Sequence, residues 1–477
     1  MGYVKLVFLM LFSLLCQLAF CSSLPHLCPK DQALALLQFK QMFPKYAYSK
    51  LLSWNKSIDC CSWDGVHCNE ATGQVIELNL ASYGLQGKFH SNSSLFKLSN
   101  LKRLDLSENN FSGSYISPKF GELSSLTHLD LSYSNFTGLI PVEISRLSKL
   151  HVLRIGSDLR FKPQNFELLL KNLTQLRELH LDHVNISSTI PLNFSSHLTT
   201  LHLDDTQLYG ILPERIFHLS NLQFLYLSFN PQLNVKFPTT KWNSSASLQM
   251  LHLYGVNATG RIPESFGHLT SLGGLTIVSC NLSGSIPKPL WNLTNIGILY
   301  LGDSHLEGPI PSNVSGMQYL HTLYLSSNHL NGTIPSWIFS LPSLWNLDLS
   351  DNHFSGNIQE FKYKTLVRVS LKQNQLQGPI PKSLLNHHPL WFLLLSHNNL
   401  SGEIASTICN LKTLRVLDLG SNNLEGTIPL CLGEMSGLVI LDLSNNSLSG
   451  TINTTFNIGN VLEVITFNGN KLEGKVP

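Results

Sequence analysis

From Val75 to the last residue one pattern returns about every 24 residues, and it leaves the chain few ways to fold. Four stretches show it plainly: LHTLYLSSNHLNGTIP from Leu320, LWNLDLSDNHFSGNI from Leu344, LRVLDLGSNNLEGTIP from Leu414 and LVILDLSNNSLSGTI from Leu438. The general form is LxxLxLxxNxLxGxIP. Counted from the first apolar residue of each unit, repeats begin at positions 75, 101, 126, 150, 176, 198, 222, 248, 272, 296, 320, 344, 366, 390, 414, 438 and 462. That is seventeen units of 22 to 26 residues. A chain of this kind grows by stacking coils and needs no single large core, so a length of 477 residues does not imply several globular domains.

The pattern has a direct physical reading. LxxLxL is a short strand whose alternate side chains point in and out. Leucines at positions four and six enter the interior, and the residues between them face the concave side. Asn at position nine turns the chain, and its amide is expected to bond backbone groups of the next coil that burial would leave unpaired, at about 1–3 kcal/mol each. The GxIP segment then sends the chain back along the convex side, Gly tolerating positive φ and Pro holding an extended backbone with no donor to lose. The position-nine column is filled at Asn109, Asn230, Asn328, Asn352, Asn374, Asn398, Asn422, Asn446 and Asn470. Elsewhere it holds Tyr83, Ser134, Asp158, Val184, Thr206, Val256, Cys280 and Ser304, so the C-terminal half is the more regular. Repeat four, HVLRIGSDLRFKPQNFELLL, departs furthest.

The N-terminus reads as an address. Lys5 is followed by an apolar run from Leu6 to Phe20, broken only by Ser13 and Gln17. Ala19 and Cys21, or Cys21 and Ser23, suit the small positions of a cleavage site, so residues 1–23 are read as a secretory signal peptide. The run is shorter than the ~20 residues of a membrane span. Residues 24–74 then form a cap over the first coil, with an amphipathic helix over DQALALLQFKQMF, and the repeats occupy 75–477. Charged residues are only 13% and the net charge is +2 with no basic run, which offers nothing for nucleic acid or a membrane surface. A secretory context makes disulfides the default for the nine cysteines. Cys28, Cys60, Cys61 and Cys68 cluster in the cap, where spacing leaves three connectivities open. Cys409 and Cys431 lie one coil apart on return segments, which predicts a bridge, and Cys280 at position nine reads as a buried thiol.

No catalytic set converges. GDSHL at 302–306 looks like an esterase motif, but LGDSHLEG takes the places of LSSNHLNG at 325–332, so Ser304 is a turn residue. His387 and His388 read as an exposed loop rather than a metal site, and neither H-E-x-x-H nor C-x-x-C occurs. No metal or other cofactor is called for. The informative column is position five, at mid-strand: Asn79, Asp105, Asp130, Arg154, His180, His202, Tyr226, His252, Thr276, Tyr300, Tyr324, Asp348, Ser370, Leu394, Asp418, Asp442 and Thr466. Outer repeats carry the plain Asp of LDLS, and middle ones carry His and Tyr. With Glu178, Asp182, Asp204, Phe224, Met250 and Tyr254 from neighbouring columns, they mark a ligand-facing patch over repeats five to eleven, aromatics being common binding anchors. Sixteen Asn-x-Ser/Thr sequons stand at Asn55, Asn92, Asn110, Asn135, Asn172, Asn185, Asn193, Asn243, Asn257, Asn281, Asn292, Asn313, Asn331, Asn399, Asn445 and Asn453. Several are written by the repeat itself at position ten, just beyond the strand, where a glycan would shield one flank.

The repeat resembles the leucine-rich repeat of the plant type, with its Ile-Pro extension. More specifically, SWNKSIDCCSWDGVHCNEATGQVIELNL at 53–80, NLTQLRELHLDHVNISSTIPLNFSSHLTTLHLDDTQLYGILPERIFHLSNLQFLYLSFNPQL at 172–233 and TICNLKTLRVLDLGSNNLEGTIPLCLGEM at 407–435 are similar to plant receptor-like proteins of the tomato Cf type. The resemblance covers essentially the whole chain. It implies an α/β solenoid, an extracellular superhelix with short parallel strands on its concave face and a disulfide cap pairing Cys28 with Cys60 and Cys61 with Cys68. It also implies a cell-surface immune receptor that senses a pathogen protein or peptide in the apoplast and signals through an adaptor receptor-like kinase and a co-receptor kinase. Family members continue into further repeats, a cap and a membrane helix, whereas this sequence stops at KLEGKVP inside repeat seventeen, which reads as a fragment or a truncation. A second reading is a secreted inhibitor of microbial wall-degrading enzymes, like the plant polygalacturonase inhibitors, although those are shorter and capped at both ends.

Overall fold

The computed structural model describes residues 27–43, 50–156, 158–238, 247–386, 389–452 and 461–474. The signal-peptide reading of 1–23, the sequons at Asn243 and Asn453 and the His387–His388 pair lie outside the described residues. The chain forms two compact units that meet in sequence between Leu198 and Thr199.

In the first unit, helix α1 (Lys30–Lys40) buries Ala35, Leu36 and Phe39. Lys40 Nζ donates to the carbonyls of Leu51 and Trp54 at 2.7 and 2.9 Å, which ties the helix to the cap loop. Trp54 and Trp63 stack at 5.5 Å, and Cys28–Cys60 and Cys61–Cys68 are the disulfides of the cap. Strand Val66–Cys68 pairs antiparallel with Val75–Asn79 and so covers the first edge of the main sheet, which would otherwise present unpaired backbone groups. From there Val75–Asn79, Arg103–Asp105, His128–Leu131, Val152–Ile155 and Glu178–His180 pair in parallel, each with the next. Leu78, Leu104, Leu129, Leu153 and Leu179 stand in one register row and are at most 1% exposed. Behind them lies a cluster of Phe39, Phe43, Phe89, Phe96, Phe111, Phe120 and Phe136, with ring centroids 5.1–6.1 Å apart. The irregularity of repeat four has a cause: its return segment folds as a helix, α2 (Asn165–Asn172), where neighbouring coils carry 3₁₀ turns such as Val142–Arg146.

In the second unit, twelve short strands pair in parallel from Thr200–His202 through Phe224–Tyr226, Met250–Tyr254, Gly274–Val278, Ile298–Tyr300, Thr322–Tyr324, Asn346–Asp348, Arg368–Ser370, Phe392–Leu394, Val416–Asp418 and Ile440–Asp442 to Val464–Thr466. The segment after position nine, read from sequence as turn, builds a second parallel sheet of ten strands from Tyr209–Ile211 to Asn423–Glu425. Stacked coils bring these segments side by side, and their peptide groups must find partners. In most of these strands the repeat glycine stands at or near the end with positive φ, +78° at Gly332 and +81° at Gly402, where a β-carbon would be strained; Gln232–Val235 has none. Cys409 and Cys431 form a disulfide between the 3₁₀ turns of adjacent coils.

The position-nine amide works in the opposite direction from the sequence expectation. Asn352 Nδ2 donates to Leu325, Leu349 and Ser350 carbonyls at 2.9, 3.3 and 3.0 Å, and its Oδ1 accepts from the Leu330 amide at 3.0 Å. Leu325 and Leu330 belong to the preceding coil, not the next. The chain has just left its own strand at this point, and the preceding coil offers a carbonyl and an amide at its bend between the two sheets. Asn109, Asn230, Asn328, Asn398 and Asn422 repeat the arrangement. Where Asn is absent the bonding thins: Ser134 Oγ reaches the Leu106 carbonyl at 2.9 Å, Ser304 Oγ the Cys280 carbonyl at 3.0 Å, and the buried Cys280 thiol the Val278 carbonyl at 3.3 Å. Asn352→Ala takes the side-chain acceptor from the buried Leu330 amide and one of the donors from the Leu325, Leu349 and Ser350 carbonyls, which keep bonds from Asn328, Asn374 and Ser327, and is expected to cost about 1–3 kcal/mol. Hydrogen exchange checks it: the Leu330 amide loses protection by at least about tenfold, whereas Asn399→Ala on the exposed flank leaves it unchanged.

Candidate ligand-reading face

The position-five residues form unbroken register rows, one in each unit. Asn79, Asp105, Asp130, Arg154 and His180 pair across successive strands of the first. His202, Tyr226, His252, Thr276, Tyr300, Tyr324, Asp348 and their successors do so in the second. Every one projects from the face of the main sheet opposite to the leucines, because side chains alternate along a strand.

The residues singled out from sequence fall into three groups. Glu178, His180 and Asp182 belong to the first unit, and the first two join a charged network rather than an aromatic one. Arg154 is held between Asp130 (3.5 Å) and Glu178 (2.8 Å), and Arg103 meets Glu77 at 3.3 Å. These side chains, with Asp105 and His128, line a shallow cavity of about 190 Å³. In the second unit, His202, Tyr226 and His252 form a continuous row of touching rings, 4.0 and 5.3 Å between centroids and tilted by 41° and 34°. Ser228 fixes it: its Oγ lies 2.7 Å from His252 Nδ1, and its amide donates to Asp204. Tyr254 packs on Phe229 at 5.0 Å, while Phe224 and Met250 flank the row at position three. Tyr300 and Tyr324 make the third group, 5.4 Å apart. The intervening coil offers only Gly274, Thr276 and Val278, all buried, with the Met250 thioether lying directly over Gly274. The stripe read from sequence is thus two aromatic walls separated by a smooth floor.

Sequence reasoning missed a further set because it followed position five alone. At positions two and three of repeats eleven to fifteen stand His321, Trp345, Arg368, Trp391, Phe392 and Arg415. Trp345 and Trp391 are 46% and 44% exposed, the largest aromatic surfaces on this edge. Laying the repeats in register at every outward position, rather than one, shows them. The described sequon asparagines are all exposed or half-buried, so each is open to modification.

Two interleaved parallel sheets, an asparagine ladder and a cysteine-paired cap define a plant-type leucine-rich-repeat solenoid. Comparison supports this: the leucine-rich repeat region family matches residues 169–356, the leucine rich repeat N-terminal domain family matches 29–69, and single repeats match at 100–123, 125–147, 389–411, 413–435 and 437–457. The ectodomain of the Arabidopsis receptor kinase HAESA, solved with the peptide hormone IDA and the co-receptor SERK1, superposes with a TM-score of 0.64 at 26% identity, covering 94% of this chain and 95% of that one. A TDR receptor gives 0.63 at 26% identity over 79% and 70%. Among sequence relatives, receptor-like protein Cf-9 of Solanum pimpinellifolium is 70% identical over 291 residues, and the Cf-9 homolog of Solanum lycopersicum 63% over 290. The chain is a member of the Cf-type leucine-rich-repeat receptor-like proteins. The match covers 57% of this chain and 34% and 32% of those two relatives, so the chain spans about a third of their length. No helix among the described residues is long and apolar enough to cross a membrane.

His180 is the most perturbed group on this face. Burial, reinforced by the positive Arg154, pulls its pKa from 6.5 to about 4. Burial moves His128 and His252 in the same direction. A depressed histidine binds its proton more weakly folded than unfolded. Between about 6.5 and 4 the unfolded chain therefore takes up more protons, and stability falls as the pH falls through that window. His180→Gln removes one of these groups, so its melting temperature should decline less steeply than wild type from pH 6.5 to 4. Identical slopes would rule out a buried neutral His180.

Proposed function

We propose that this chain is the extracellular ligand-recognition module of a plant immune receptor-like protein, sensing a pathogen-derived protein or peptide in the apoplast and signalling through a partner receptor kinase. One observation carries the reading: the touching rings of His202, Tyr226 and His252 stand on the outward row of the main sheet, partly exposed, where the rest of the fold has no use for them. The interior is complete without these residues, since the leucines beneath them are fully buried by their own neighbours. Large amphipathic rings held by contact with one another and by Ser228 lose little entropy when a partner covers them, which suits a recognition surface. The resemblance to the Cf-9 group supplies the defence context, and the peptide-bound HAESA ectodomain shows what a solenoid of this kind is able to hold.

The test is a leaf assay. The chain, fused in frame to the C-terminal portion of a Cf-9-type receptor, is challenged with apoplastic fluid from infected tissue. The expected result is a defence response that the triple variant H202A/Y226A/H252A reduces at least about tenfold, with secretion and circular dichroism unchanged. A full response from the triple variant would contradict the reading.

A further inference from the structure

The second sheet of the second unit carries histidines that the ligand-reading face does not use. His305, His329 and His353 open the strands His305–Pro309, His329–Thr333 and His353–Asn357, at position ten of repeats ten, eleven and twelve. All three are exposed. Their rings follow one another from coil to coil, 5.9 Å between centroids at each step and inclined by only 15° and 9°. The fold does not require an imidazole here, since other coils carry Asn257, Asn281, Gln375 or Asn399 in the same column.

A carboxylate stands beside only one step of this row. The register of the sheet is offset, so that Glu307 rather than His305 is the Cα partner of His329. At the next step the residue opposite His353 is Asn331, which carries no charge. His305 and Glu307 lie on the exposed face of their strand on either side of the buried Leu306, and His329 opens the exposed face of the next. Side chains two apart on a strand share a face about 6.7 Å apart, and paired residues of neighbouring strands lie about 4.8 Å apart. The three side chains therefore form a compact triangle. None of them makes a hydrogen bond or ion pair among the described residues, so each is able to turn toward the other two.

Two imidazoles and one carboxylate are a ligand set for a divalent transition-metal ion. Imidazole nitrogen suits Zn²⁺, Cu²⁺ and Ni²⁺, whereas Mg²⁺ and Ca²⁺ take oxygen ligands. Zinc holds nitrogen at about 2.0–2.1 Å and carboxylate oxygen at about 2.0–2.2 Å, which sets ligand atoms roughly 3.3 Å apart around a tetrahedral ion. Rings 5.9 Å apart bring a nitrogen each to that separation when exposed side chains rotate and their edges tilt together. Three protein ligands leave the fourth position to water. Sequence motifs did not show the set, because HLE supplies two ligands on one strand and the third comes from the next coil, 22 residues beyond Glu307.

We propose that His305, Glu307 and His329 together bind one divalent transition-metal ion of the zinc class, which ties coil ten to coil eleven. This site is separate from the His202–Tyr226–His252 row, and its test does not depend on a defence response. The intact secreted chain, purified without a histidine tag and stripped with a chelator, is titrated by calorimetry with zinc chloride, with magnesium chloride as the control. The expected result is a saturable zinc site with Kd below about 20 μM and no saturable binding of magnesium. H305A and H329A each weaken that site about tenfold or more, and E307Q weakens it about fivefold. H353A leaves it within about twofold, because the second step of the row lacks the carboxylate. The tie between coils has its own readout. The Leu306 amide donates to Asn328 Oδ1 of the next coil at 3.0 Å, and zinc should slow its hydrogen exchange at least about threefold in wild type and not in H329A. All four substituted side chains are exposed, so circular dichroism of the variants should match wild type. No saturable zinc site, a site untouched by H305A, H329A or E307Q, H353A as damaging as H329A, or Leu306 exchange indifferent to zinc would each overturn the proposal.

Discussion

Everything on this solenoid depends on how a coil satisfies its backbone at the bend between its two sheets. A strand of three to five residues cannot carry its hydrogen bonding around the corner, and the corner is buried. The position-nine asparagine resolves this with one side chain: two N–H groups and one oxygen serve three carbonyls and one or two amides of its own and the preceding coil. An unpaired buried peptide group costs about 1–3 kcal/mol, so a coil without this device would offset much of what its leucines contribute. With Ser134 or Cys280 in the column fewer side-chain bonds form. In the first unit the second sheet shrinks to the pair Gly138–Leu139 and Leu159–Arg160 with isolated bridges, whereas in the second unit it continues through Val256, Cys280 and Ser304, carried there by backbone pairing alone.

That arrangement frees the opposite face. Positions one, four, six and nine define the fold, and the outward positions two, three and five are left to carry chemistry at little cost in stability. Three distinct surfaces result: a charged network around Arg154 in the first unit, and an aromatic row and an edge with exposed Trp345 and Trp391 in the second. Small residues matter as much as large ones here. Gly274 receives Met250, and Gly302 lies beneath the Tyr324 ring. The spacing of the aromatic walls is thus set by glycines in the coils beside them.

Much of this was legible in the sequence. Seventeen repeats fix strand positions, the buried rows and the position-five column, because a period of about 24 residues allows one stacking register. Other features were not legible, for physical reasons. Most strands of the second sheet have a single aliphatic residue, as in HLNGT at 329–333, too little alternation to signal a strand. Helix α2 hides in a lengthened return segment whose FELLLKN fits helix or loop. Glu178 was grouped with the aromatic stripe by proximity in sequence, yet its partner is Arg154, 24 residues earlier and one coil away. The position-nine bonds were expected toward the next coil because the pattern gives spacing without direction. Trp345 and Trp391 are two coils apart, and only the stacking of coils brings them onto one edge.

The central claim is that outward and inward columns do separate work on one frame. The most direct measurement is a paired scan in which each residue at positions two to five and nine of repeats six to fifteen is substituted, with melting temperature and ligand response recorded for the same secreted proteins. The account predicts that positions four and nine lower the melting temperature and lose response only as the fold is lost. Positions two, three and five keep the melting temperature within a few degrees, and some of them lose response or binding outright. Outward-column substitutions that destabilise as much as Asn352→Ala, or an outward column that tolerates every change in both readouts, would contradict it.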